Sequence, residues 1–168
     1  MLDCVHTSLF IWVLEPPQKA CMCVPAVITK HQKRISDLLL DRIDIHIEVP
    51  RVDYDKLSGD PKKETSAMIR ARTQAARDIQ KKRFSNSGSS DIVCNADMRV
   101  EEIRQFCKLQ AEGQSLMRAA MSQLNLSARA YHRIPKLART IANLVGSEEI
   151  QSMQLAKALQ YRPKIMMG

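Results

Sequence analysis

Apolar residues recur at helical spacing over most of the chain beyond Asp60, and at strand spacing in one short run before it. In that run Ile43, Ile45, Ile47 and Val49 alternate with Asp44, His46 and Glu48, and Pro50 closes it. Period-two alternation of β-branched residues predicts a strand with one buried face. An apolar turn, Leu38 to Leu40, precedes Asp41-Arg42, which places Arg42 at a helix-to-strand junction. Pro25–Lys33, with proline in its first turn, reads as a helix leading into this stretch. Leu9–Leu14 is a second apolar run, short enough for a buried strand and ended by Glu15-Pro16-Pro17. Asp53–Leu57 reads as a single turn and Ser58–Pro61 as a loop.

The rest of the pattern is helical. Ser66–Phe84 carries a narrow stripe of Ala67, Met68, Ala71, Ala75 and Ile79 among six basic residues, as expected of a partly exposed connecting helix. Phe84–Asp91 (FSNSGSSD) is a polar linker. Beyond it, four short helices are expected. Val100–Cys107 presents Val100, Ile103, Phe106 and Cys107, with Asp97 as an upstream cap. Ala111–Leu124 presents Leu116, Met117, Ala120, Met121 and Leu124. A third helix, capped by Ser127 and running to about Asn143, turns Tyr131, Ile134, Ala138, Ile141 and Ala142 inward; Pro135 should interrupt it. After Gly146, Ser152–Tyr161 packs on Met153, Leu155, Ala156 and Leu159. Four helices with short connections make a small α-bundle.

Charge sharpens this picture. The net charge is +8, and residues 99–168 hold 11 Lys/Arg against 5 Asp/Glu while residues 1–98 are nearly balanced. A basic helical C-terminal part is compatible with nucleic acid, although a solvated basic surface is the commoner case. No run reaches the ~20 apolar residues of a membrane span. No basic region precedes Leu9–Leu14, so no signal peptide is expected, and five cysteines without framework spacing suit a reducing cytoplasm. Cys21 and Cys23 supply half of a zinc site; with Cys4 and His6 a set of four can be drawn, but its spacing matches no established zinc pattern, and no metal is assigned.

The chain contains no G-x-x-x-x-G-K-[ST], G-x-S-x-G or H-E-x-x-H, and its four histidines are scattered. Two arginines stand in telling places: Arg42 at its junction, and Arg129 in the first turn of a helix, followed by Arg133, Lys136 and Arg139. Guanidinium is always charged and binds phosphate oxygens bidentately, although from position alone an ordinary surface ion pair is the commoner explanation of either residue.

The segments LLDRIDIHIEVPRVDYDKLSGD, IRAR with AAR, SLMRAAMSQLNLSARAYHRI, KLARTIANL, GSEEI and LAKALQYR, in that order, resemble the C-terminal third of the magnesium-chelatase-like AAA+ ATPases, in their ComM/YifB branch, over residues 19–168. The resemblance implies a P-loop ATPase core followed by a helical lid, assembled as a ring that uses ATP and Mg2+. It implies DNA branch migration for ComM-type members and metal insertion into a porphyrin for the chelatases. By position Arg42 matches the arginine finger and Arg129 the sensor-2 arginine that meets the nucleotide; both would be catalytic, with Arg129 also cofactor-binding.

The implied fold is mainly α: a helical AAA+ lid at 95–168, a connecting helix and linker at 51–94, and a remnant of the α/β core, with one or two strands, at 1–50. Walker A, Walker B and sensor 1 are absent, residues 1–17 match nothing in the family, and the branch's first Cys pair is missing. Ser36-Asp37-Leu38 stands where the family has Ser-Gly-Pro, and Pro135 replaces an aliphatic residue. A cytoplasmic C-terminal fragment that does not hydrolyse ATP alone is the expectation, with ring subunits and DNA as partners. The alternative is a basic helical module that binds DNA or joins a full-length ATPase.

Overall fold

The computed structural model describes Val24, Ala26, Lys30 and residues 42–47, 64–85 and 91–162. Two compact units are present, one of residues 1–43 and 47–61, the other of residues 44–46 and 62–168. In the first, Ala26 and Lys30 are helical, as expected of Pro25–Lys33. The runs Leu9–Leu14, Asp53–Leu57 and Ser58–Pro61, the cysteines at 4, 21 and 23, and most of the 84–91 linker lie outside the described residues.

The second unit is helical, the mainly-α lid architecture anticipated above. In order it contains α1 (Ser66–Ser85), a 3-10 turn (Asn95–Asp97), α2 (Val100–Phe106), α3 (Ala111–Gln123), α4 (Ala128–Val145) and α5 (Ser152–Gln160). Helix α4 is the centre: α5, α1, α2 and the 3-10 turn all pack on it, and α5 also packs on α3. The small side chains Ala130, Ala138 and Ala142, all fully buried, form its inner face and allow close approach without loss of helix propensity. Ile134, Met98 and Leu155 fill the space between elements, and Phe84 meets Phe106 edge-on at 5.8 Å.

The helix ends follow local chemistry. Ser127 accepts a hydrogen bond from the Ala130 N–H (3.1 Å), starting α4 as the sequence predicts. Gly146, at φ 76°, closes it in the left-handed region that glycine enters without strain, while the Ser147 N–H returns to the Ala142 carbonyl (2.9 Å). Replacing Ser127 with Ala orphans a first-turn N–H and should cost about 1 kcal/mol of unfolding free energy, read from urea titrations. Helix α2 begins differently from expectation. Its first turn is closed by Glu102, which accepts from the Arg99 N–H (2.8 Å). Asp97 instead ties down the preceding loop, accepting from the Val93 and Cys94 N–H groups and the Cys94 thiol. Those bonds, the thiol's first, hold its carboxyl below the usual carboxylate range.

Four expectations need correction. Residues 43–47 form no strand, and Ile43, Ile45 and Ile47 are exposed. A strand exists only through a partner's ladder, and the only bridge among the described residues is Leu109 to Ile150. Helix α1 does not use its Ala/Met/Ile stripe; it buries Ala76, Gln80 and Phe84, because the aromatic ring at its end is the larger apolar anchor. Met153 is 75% exposed and Tyr131 48%, although both were placed inward. At 100° per residue Met153 points away from Leu155, and Ala158 takes its place in the core. Pro135 does not interrupt α4. The helix runs through it with the ring buried, offsetting the missing N–H with apolar contact.

Candidate functional site

Four basic residues, Arg129, Arg133, Lys136 and Arg139, follow one another along α4, and the structure sorts them. Arg139 is buried and donates from Nη1 to the Glu148 carbonyl, closing the turn between α4 and α5. Lys136 donates to the Ala96 carbonyl (2.9 Å) and so fastens the 3-10 turn. Arg133 pairs with Asp44 (3.0 Å), drawing residues 44–46 onto the helical unit. Beside that pair, the His46 N–H donates to the Tyr161 carbonyl at the end of α5 (2.8 Å). Arg129 remains exposed in the first turn, with no ion pair among the described residues.

The setting of Arg129 suits an anion. The α4 N-terminus carries the positive end of the helix dipole, and the Ser127 cap fixes the backbone from which the guanidinium projects. Tyr131, exposed and edge-on to His132 at 5.3 Å, lies two residues on. Arg42, the other arginine singled out by the sequence, lies exposed in a turn of the first unit. No cluster of His, Cys, Asp or Glu suited to a metal ion occurs among the described residues.

A second polar cluster escaped sequence reading because its members look like ordinary surface residues. Asn95, 2% exposed, is its centre. Its N–H donates to Gln80 Oε1 (2.9 Å), its Oδ1 accepts from Arg83 Nη1 (3.1 Å), and its Nδ2 donates to Thr140 Oγ1 and Asn143 Oδ1 (both 3.1 Å). Burial and then repulsion from Arg139 lower the Arg83 pKa to about 10, and burial also lowers that of Arg139. The Cys107 thiol is pushed up to about 11 by burial, against the pull of Arg139 and Arg83. A thiol held protonated is a packing group rather than a nucleophile. The sequence signal was faint: Arg139 and Asn143 sit four apart, each directly after an inward alanine of α4.

Comparison with known proteins then gives two family matches. Residues 63–162 match the model described as magnesium chelatase, subunit ChlI C-terminal, and residues 13–57 match magnesium chelatase, subunit ChlI. The second match begins upstream of residue 19, so residues 13–17 do have family counterparts. Competence protein ComM of Haemophilus influenzae is 38% identical over 143 residues, covering 84% of this chain and 26% of that protein. YifB of Escherichia coli is 36% identical over 141 residues, covering 83% and 26%. The chain therefore spans about a quarter of the length of these relatives.

Proposed function

Because the chain belongs to the magnesium chelatase ChlI family, we propose that it supplies the arginine-finger segment and the C-terminal lid of a ring-forming AAA+ ATPase. The observation that carries this reading is the sorting of the α4 cations. Three are spent on the fold, and Arg129 stands exposed at a capped helix start. An exposed guanidinium without an ion pair among the described residues fits the phosphates of a nucleotide, so Arg129 would act as the lid's sensor and bind ATP. ATP with Mg2+ supplies the phosphoryl group to be transferred, and no residue here is assigned to the metal. Arg42 would serve as the finger toward a neighbouring subunit, as heterologous ring contacts allow.

The division into 1–50, 51–94 and 95–168 accompanies this reading, as do a cytoplasmic location and a role in DNA branch migration. The printed name of the Haemophilus relative, a competence protein, supports the last. The alternative, a basic module that binds DNA or a ring without serving its nucleotide, differs in leaving Arg42 and Arg129 without effect.

The 168 residues contain no P-loop motif, so the purified chain with ATP and Mg2+ should release no phosphate above background, with or without DNA. Turnover that disappears on Arg42→Ala would overturn this. Mixed with a full-length ATPase of the family, the chain should co-migrate with the ring in size-exclusion chromatography when ATP is present. Arg129→Ala should weaken that nucleotide dependence. Co-migration unaffected by nucleotide and by both substitutions would favour the alternative.

A further inference from the structure

Helix α1 is held by one end. Its buried residues, Ala76, Gln80 and Phe84, all lie in its second half, and every residue from Ser66 to Ala75 is exposed. Six basic residues and one acidic residue lie along it. They are not spread evenly. At 100° per residue Arg70, Arg77 and Lys81 fall within an arc of about 40°, and at 1.5 Å rise per residue the stripe is about 16 Å long.

The carboxylates near this helix are engaged elsewhere. Glu64 pairs with Arg72 (2.9 and 3.3 Å), which projects from a different side, and Asp78 accepts from Gln74 Nε2 (2.8 Å). Arg70, Arg77 and Lys81 have no ion pair among the described residues. Thr73 and Gln74, both polar, flank the arc, the nearby Phe84 is buried in the core, and no exposed aromatic or large aliphatic side chain falls within it. A protein partner would be expected to need such an anchor, whereas a phosphate backbone needs only cations and hydrogen-bond donors.

We propose that the Arg70–Arg77–Lys81 face of α1 is a binding surface for the phosphate backbone of duplex DNA. Duplex DNA carries one negative charge per about 1.7 Å of axis, so a stripe of this length always faces several phosphates. A single helix anchored at one end is also narrow enough to lie along the major groove, which is about 12 Å wide. The arginines grip phosphate oxygens bidentately and Lys81 adds a point charge, so the contact is independent of sequence. The proposal gives a site to the DNA partner named above and rests on that part of the reading, but it requires no nucleotide, ring or finger.

The test is fluorescence anisotropy of the full chain with a labelled 20-base-pair duplex across a series of salt concentrations. Two triple variants remove equal charge from exposed positions: Arg70→Gln/Arg77→Gln/Lys81→Gln on α1, and Arg104→Gln/Arg118→Gln/Lys157→Gln on α2, α3 and α5. The α1 variant should bind more than tenfold more weakly at low salt, with a log–log salt slope shallower by about 2.7, or 0.9 per lost phosphate contact. The second variant should stay within about threefold of the parent. Helical circular dichroism should be unchanged in both, since none of the six side chains is buried. Equal weakening by the two variants overturns the proposal, because net charge alone would then account for binding. Parent-like binding by the α1 variant, or binding without a salt slope, also overturns it. A chain that joins the ATPase ring yet binds no duplex sinks the DNA surface and leaves the ATPase reading standing.

Discussion

Asn95→Ala should destabilise the helical unit by about 3 kcal/mol, a little over a hundredfold in the folding equilibrium. Asn95 is 2% exposed, and its side chain joins Arg83 on α1 to Thr140 and Asn143 on α4, while its backbone N–H, which the substitution leaves in place, donates to Gln80. Truncation removes one acceptor and two donors from a buried position. Arg83 keeps a longer bond to Asn143 Oδ1 (3.3 Å), and Thr140 keeps its own bond to the Lys136 carbonyl (3.0 Å). The loss is therefore less than the full desolvation of three groups. It still exceeds that of an ordinary surface substitution several-fold, because burial and the Arg139 charge already act against the Arg83 guanidinium, which then loses the shorter of its two acceptor bonds. Urea unfolding followed at a helical wavelength should show a lower midpoint with an unchanged slope. A loss under about 1 kcal/mol would mean that water replaces the amide at little cost.

The network explains why the polar linker reading of 84–91 says so little about how the helical unit is held together. Composition hides Phe84, the first residue of FSNSGSSD, which is buried in the core, and the residues flanking the stretch are tied by hydrogen bonds between α1 and the 3-10 turn. Single-residue composition cannot display a buried bond between two side chains twelve positions apart. The helices themselves were legible to within a residue or two, since α1 to α5 rest on local periodicity and on two strong end signals, Ser127 and Gly146.

What local pattern misjudged was which end of a stripe finds a partner. Met68 and Ile79 share a plausible apolar face, but both are exposed and Phe84 decides the orientation of α1. The strand expected at 43–49 is not formed over its described part, 43–47, for a related reason: alternation specifies a face, whereas a strand requires another strand beside it. That Arg129 falls in the first turn of α4 can be read from the Ser127 cap alone. That Arg133, Lys136 and Arg139 would be occupied could not be read, since their partners Asp44, Ala96 and Glu148 are brought to α4 only by tertiary folding.

Leu155→Ala is expected to cost about 3 kcal/mol, and the origin of that loss can be separated from helix propensity. Leu155 is fully buried in α5, between α4 and α3, where a smaller side chain leaves a void lined by atoms that cannot all collapse inward. Propensity works in the opposite direction, since alanine is the better helix former by a few tenths of a kcal/mol. Gly113 on α3 provides the control. A Cβ built there would meet Leu109 Cβ at 3.4 Å and Leu155 Cδ2 at 3.7 Å, ordinary contact rather than collision. Gly113→Ala alone should stabilise the unit by about 0.5–1 kcal/mol through backbone entropy. The added methyl lies beside Leu155 and not within its volume, so in the double variant it should recover no more than that amount. Full recovery of the Leu155→Ala loss would show that α3 and α5 close the void by moving together, and would assign the loss to local helix stability instead of packing. Chemical unfolding of the four proteins in this cycle decides between the two.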